Sequence, residues 1–129
     1  MPRLSAYKIL LSCSFPKTAR ILKRSEFLRL SRTGKKIQNR HFILLYSRSF
    51  PAQLRFGITV SRKVGNAVRR NRVKRLVREH VRRVRPLMSG GWDINIIAKK
   101  DAANLSGGEV GTSLAQLLAG IQRDDKKNQ

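Results

Sequence analysis

Between Arg62 and Arg85, the apolar residues Val73, Leu76, Val77, Val81 and Val84 recur at spacings of three and four, the period of one helix face. At ~100° per residue, Asn71, Arg75, Arg78 and Arg82 fall on the opposite side. Gly65, which can take positive φ, and Asn66, a good N-cap, predict where this helix begins. Pro86 and Gly90-Gly91 predict where it ends. Arg69 and Arg70 fall near the apolar side, so the first turn is expected to project beyond the core with both guanidiniums reaching outward.

Elsewhere the period is two. Leu54–Ser61 alternates, with Leu54, Phe56, Ile58 and Val60 on one face and Arg55, Gly57, Thr59 and Ser61 on the other. The second face is small and polar, and a backbone or flat base could approach it at Gly57. Trp92–Lys99 is a second strand, and Arg40–Tyr46 a third with both faces partly apolar. Ser47–Gln53, containing Phe50-Pro51, is predicted as a hairpin connection. Ser25–Arg32 reads as a short helix with Ser25 as N-cap and Gly34 just past its end, and Gly34-Lys35-Lys36 leads into a strand region. In the last helix Ser106 and Glu109 fit a capping box and Leu105 with Val110 a hydrophobic staple. Val110, Leu114, Leu117, Leu118 and Ile121 form its apolar stripe, while Gly107, Gly108 and Gly111 weaken its first turns.

The elements predict one small α+β domain over residues 20–122, in the order α-β-β-(β)-α-β-α. The sheet is expected to be mainly antiparallel, with one βαβ crossover and the helices packed on one face. Such a crossover is normally right-handed. Residues 1–19 carry no sustained period and read as a flexible extension; residues 123–129 read as a polar, disordered tail.

Charge changes the picture more than size does. The 129 residues carry a formal net charge of +22, with 40% hydrophobic residues, so a core can form and the partner is anionic. Nucleic acid leads and an anionic membrane surface follows. Arg62–Arg85 holds eleven Lys or Arg against Glu79 alone. Arg75–Arg78 and Arg78–Arg82 are like-charge neighbours, each pair destabilising by ~0.2–0.5 kcal/mol. Solvated faces usually mix signs, so this face calls for an external anion. Cys13 is alone, which excludes an internal disulfide and suits a reducing compartment. The longest apolar run near the start, Ile9–Leu11, is too short for a signal peptide, and no stretch approaches the ~20 apolar residues of a membrane span. The expected place is the cytoplasm.

Autonomous chemistry is not expected. Of the seven acids, Glu26, Glu79, Asp93, Asp101 and Glu109 fall on different elements and Asp124 and Asp125 in the tail, so no ligand-spaced set forms. His41 reads as a strand-edge polar residue and His80 as a packed core residue; neither shows a triad partner. No catalytic residue and no metal ligand is assigned.

The run Lys63-Val64-Gly65-Asn66-Ala67-Val68-Arg69-Arg70-Asn71-Arg72-Val73-Lys74-Arg75 resembles the signature of the protein subunit of bacterial ribonuclease P. Arg70-Asn71-Arg72 matches that family's RNR motif, and Lys74, Arg75 and Arg78 match the basic positions after it. The resemblance spans about Arg20 to Ile121. It implies a left-handed βαβ crossover, an RNA subunit that carries the active site and binds the catalytic Mg²⁺, and precursor tRNA as substrate. It assigns Arg62, Lys63, Asn66, Arg69, Arg70, Asn71, Arg72, Lys74, Arg75 and Arg78 to the catalytic RNA. It assigns Phe27, Ser31, Leu45, Gly57, Thr59 and Ser61 to a cleft for the single-stranded 5′ leader. Ser31 and Leu45 stand where family members often have aromatics, which predicts weaker stacking there. No membrane and no stable protein partner are expected. A structural RNA-binding protein, such as a ribosomal protein, shares the charge and mixed fold but not the RNR-KR spacing. A membrane-surface or DNA-condensing protein needs no single oriented stripe.

Overall fold

The computed structural model describes residues 19–49, 53–88 and 90–127, with side chains as far as Arg123. Residues 1–18, almost all of the predicted extension, lie outside the described residues. The elements are α1 (Arg24–Thr33), β1 (Lys35–Gln38), β2 (Phe42–Arg48), β3 (Leu54–Val60), α2 (Ala67–Val84), β4 (Trp92–Ala98) and α3 (Gly107–Lys127), with 3-10 turns at Arg62–Val64, Arg85–Leu87 and Lys100–Asn104. The predicted α+β order stands, and the strand left in parentheses is β1.

The sheet order is β1-β2-β4-β3. β1–β2 and β2–β4 are antiparallel, while β3 runs parallel to β4, with α2 as the crossover. The expected hairpin over Ser47–Gln53 is therefore not a hairpin: β4 lies between the two strands it would have paired, and residues 50–52 are not among those described. The physical reason is burial. Six of the seven β4 residues are buried, and a strand covered on both faces takes a central place.

One face of the sheet presents Phe42, Leu44, Phe56, Ile94 and Ile96. Val73, Val77 and Val81 of α2 and Val110, Leu114, Leu117, Leu118 and Ile121 of α3 pack there into one core. The expectation that all helices share this face fails for α1. It lies on the other face, where Leu30 is its buried residue and Phe27 its contact with Gly57. That is why β4 also buries Asp93 and Asn95, the polar half of its alternation. Periodicity shows that a helix has an apolar side, and the short α1 has the same signal whichever face it meets.

The local signals fare unevenly. Asn66 caps α2 as predicted, its Oδ1 accepting from the Arg69 N–H at 3.0 Å, and Gly65 takes φ 151°. Asn66→Ala is expected to lower stability by about 1 kcal/mol, read as a shifted urea midpoint at unchanged slope. The predicted capping box is present: the Ser106 N–H donates to Glu109 Oε1 at 3.1 Å and the Glu109 N–H to Ser106 Oγ at 3.2 Å. These bonds hold the Glu109 carboxyl below its ordinary pKa. Ser25, by contrast, is not an N-cap. α1 starts one residue earlier, behind Lys23, with no side-chain cap. Gly34 does end α1, but in an extended conformation; a Cβ there would lie 2.5 Å from the Leu30 carbonyl oxygen.

At the ends, Ala19 and Ile21 are already buried, and the Ile21 N–H donates to the Phe56 carbonyl on the outer edge of β3. α3 runs on to Lys127, into the stretch whose composition predicts a disordered tail. No Gly or Pro interrupts residues 121–127, and extending a formed helix is easier than starting one.

His80 sits in the seam between α2 and α3 rather than deep in the core. Gly111 leaves room for it: a Cβ there would lie 3.3 Å from His80 Nδ1. Its Nε2 is sealed from solvent without a partner. Burial, then the nearby Arg83, pushes its pKa below 6.5. The unfolded chain thus takes up a proton more readily than the folded one. Stability from this site is present above the unfolded pKa near 6.5 and is lost as pH falls through the lower folded value. His80→Gln is expected to shrink the fall in urea midpoint on acidification from about pH 7.5 to about pH 5.

Candidate nucleic-acid interface

α2 is a two-sided cylinder. Val73, Val77 and Val81 are fully buried, and Asn71, Arg75, Arg78 and Arg82 are exposed on the opposite side. Arg62, Lys63, Asn66, Arg69 and Arg72 are exposed as well, around the helix start. The first turn carries Val68 outward at 77% exposure, so it does project beyond the core.

Three of the predicted contact residues have more specific surroundings than a wheel can show. Arg72 donates to the Leu105 carbonyl at 2.9 Å and to that of Ala103 at 3.4 Å, which ties α2 to the loop before α3. Arg70 is half-buried, with its Nε shielded and unpartnered, whereas its neighbour Arg69 is exposed. Lys74, also half-buried, turns towards the edge of the sheet and lines the groove on its other face.

That groove, of about 510 Å³, lies between α1 and the strands. Phe27, Ser31, Leu45 and Thr59 line it, as do Lys74, Asn95 and Ile97. Four of the six predicted cleft residues thus come together across α1, β2 and β3. Gly57 does not line the open space. It is buried beneath the Phe27 ring, where a Cβ would fall 2.5 Å from Phe27 Cε1, so the chain's own ring occupies the approach predicted for a foreign base. Ser61 stands outside the groove, at the start of the 3-10 turn Arg62–Val64. Asn95 and Ile97 escaped sequence reasoning because nothing within their own strand links them to α1 or β3. Only the pairing of Gly57 with Asn95 and Thr59 with Ile97 brings them here. Thr59 Oγ1 donates to Asn95 Oδ1 at 3.1 Å, which satisfies that buried carbonyl.

Two residues before Gly57 and Asn95 on the same strands, Arg55 and Asp93 belong to an ion network. Asp93, with a side chain 2% exposed, accepts two hydrogen bonds from Arg55, at 2.9 and 3.0 Å, and one from Arg29 at 2.9 Å. Arg55 also donates to Glu26 at 3.0 Å. The bonds to Asp93 raise the pKa of Arg55 above its ordinary value. Two acids that read as scattered are therefore gathered by one guanidinium. Among the described residues, no group of three or more His, Cys, Asp or Glu could hold a metal ion. His41 does have a neighbour, Ser113, with Nδ1 3.1 Å from its Oγ, and Asn39 donates to the same oxygen at 2.8 Å. No helix among the described residues is long and apolar enough to cross a membrane.

A cationic helix face and, across the sheet from it, a groove of mixed apolar and amide character mark a small α+β protein with a surface complementary to an anionic polymer. The chain belongs to the ribonuclease P protein family: the family model described as Ribonuclease P matches residues 15–122. The chain is 52% identical over 114 residues to the ribonuclease P protein component of Desulforapulum autotrophicum, covering 88% of this chain and 97% of that one. It superposes on the solved Staphylococcus aureus RNase P protein with a TM-score of 0.75 and 33% identity, over 81% of this chain and 96% of that one. For the Thermotoga maritima RNase P protein the TM-score is 0.71 and the identity 36%, over 77% and 94%.

Proposed function

We propose that this chain is the protein component of a ribonuclease P ribonucleoprotein, which cleaves the 5′ leader from precursor tRNA and leaves the mature 5′ end. The observation that carries the detailed reading is the separation of two surfaces on one small body. The outer face of α2 and its approach, with Arg62, Lys63, Asn66, Arg69, Asn71, Arg75 and Arg78, would lie on the catalytic RNA. There it offsets phosphate repulsion close to the cleavage point. The groove of Phe27, Ser31, Leu45 and Thr59 would hold the leader. Phe27 offers a ring on which any base can stack, and the aliphatic Leu45 and Ile97 extend the apolar contact. Lys74, between the two surfaces, would meet a backbone phosphate of the leader. Mature tRNA lacks the leader, so precursor binds more tightly.

Hydrolysis needs Mg²⁺, which supplies an activated water and charge neutralisation at the scissile phosphate. The described acids do not gather into a cage for it: Glu26, Asp93 and Asp101 are paired with arginines, Glu109 is held in its helix cap, and no three ligand-type side chains come together among the described residues. As the family resemblance implies, the ion would be held by the RNA subunit. The expected place is the cytoplasm, where tRNA is matured.

The test is reconstitution. With catalytic RNA and precursor tRNA at low Mg²⁺, the protein is expected to stimulate 5′ cleavage and to give none by itself. Binding to the RNA without stimulation would favour a purely structural RNA-binding role.

A further inference from the structure

We propose that the ion network of Glu26, Arg29, Arg55 and Asp93 is a positioning device that sets where the Phe27 ring stands in the leader groove. The proposal rests on the groove reading above. α1 is a weak element on its own. It has ten residues, no side-chain N-cap and one buried residue, and isolated helices of that length are marginal. It is also outside the main core, so its place must be fixed by other contacts.

Glu26 and Arg29 supply them. They lie three residues apart and bracket Phe27 in sequence. One bonds to Arg55 on β3, the other to Asp93 on β4, and Arg55 and Asp93 are register partners on adjacent strands. Two residues further along the same strands, Gly57 and Asn95 are again partners and form the floor beneath the ring. The network thus fixes α1 along the strands one step from the place where Phe27 meets the sheet. Gly57, without a side chain, sets how deep the ring sits. Asp93 is so buried that losing its partners leaves an uncompensated charge, which makes the arrangement stiff. Arg29, in contrast, is 55% exposed, so it can be changed without opening the interior.

The experiment uses the reconstituted holoenzyme at saturating protein and measures dissociation constants for precursor and mature tRNA. Arg29→Glu places a like charge against Asp93 and shifts α1. Gly57→Ala displaces the ring from below and leaves the ion pairs intact. Each is expected to lower the precursor-over-mature preference about fivefold or more, with mature-tRNA binding and RNA-subunit binding unchanged. Arg29→Lys is expected to restore most of the preference. In a Phe27→Ala background, Arg29→Glu is expected to produce no further fall.

Equal loss of both substrates in Arg29→Glu would mean general damage and would overturn the proposal. So would the same fall with the ring already removed, or a normal preference in Arg29→Glu beside a reduced one in Phe27→Ala. An unchanged preference in Phe27→Ala itself would instead reject the groove reading on which all this stands.

Discussion

Replacing Arg75 and Arg78 together with alanine is expected to weaken assembly with the catalytic RNA on the order of tenfold to thirtyfold near physiological salt. Both side chains are exposed, and neither is held by another group among the described residues. Their removal therefore deletes exposed cations of the proposed interface without opening the core. The fold should gain slightly, because Arg75–Arg78 and Arg78–Arg82 repulsions of ~0.2–0.5 kcal/mol each disappear. Assembly measured over a range of salt should show a log–log slope reduced by roughly 0.7–0.9 for each phosphate no longer neutralised, a value borrowed from DNA. An unchanged slope would remove these two residues from the interface. Arg72 makes a poorer probe. Its bonds to Leu105 and Ala103 carbonyls mean that Arg72→Ala loosens the loop before α3 as well as any grip on RNA.

The second large effect belongs to Phe27. Phe27→Ala is expected to leave RNA-subunit binding intact and to reduce the preference for precursor over mature tRNA by about 1–3 kcal/mol, the range for one base stacked on one aromatic. That corresponds to roughly fivefold to 150-fold. The change also uncovers Gly57, which the ring now shields, so some of the missing stacking is replaced by packing against backbone. Competition between leader-bearing and leaderless tRNA for one holoenzyme preparation reads the ratio directly. Equal weakening of the two substrates would refute the groove assignment.

Much of this architecture is legible in the chain because its strongest signals are local. Val73, Val77 and Val81 are buried at the spacing that predicts α2, and Asn66 and the Ser106–Glu109 box mark helix starts with short hydrogen bonds. The outer stripe of α2 follows from the same wheel. What escapes is decided at long range. Asp93 meets Arg29 across 64 residues, and nothing near either one announces it. Whether α1 covers one face of the sheet or the other cannot follow from a ten-residue pattern, yet that choice makes Asp93 and Asn95 interior and creates the groove. The inserted position of β4 likewise turns an apparent hairpin into a longer crossing. Lys74 belongs to a basic run but stands at the rim where α2 meets the sheet edge, so its place is read from the fold rather than from its neighbours in sequence.

The central claim is that the two surfaces face different nucleic acids, and directed hydroxyl-radical cleavage tests it in one measurement. In a Cys13→Ser background, an iron chelate is attached through Val68→Cys on the outer face of α2 or through Ser31→Cys in the groove, within the holoenzyme–precursor complex. The chelate at 68 is expected to cut the catalytic RNA and the chelate at 31 to cut the 5′ leader. Cleavage of the leader from 68, or of the catalytic RNA alone from 31, would contradict the account.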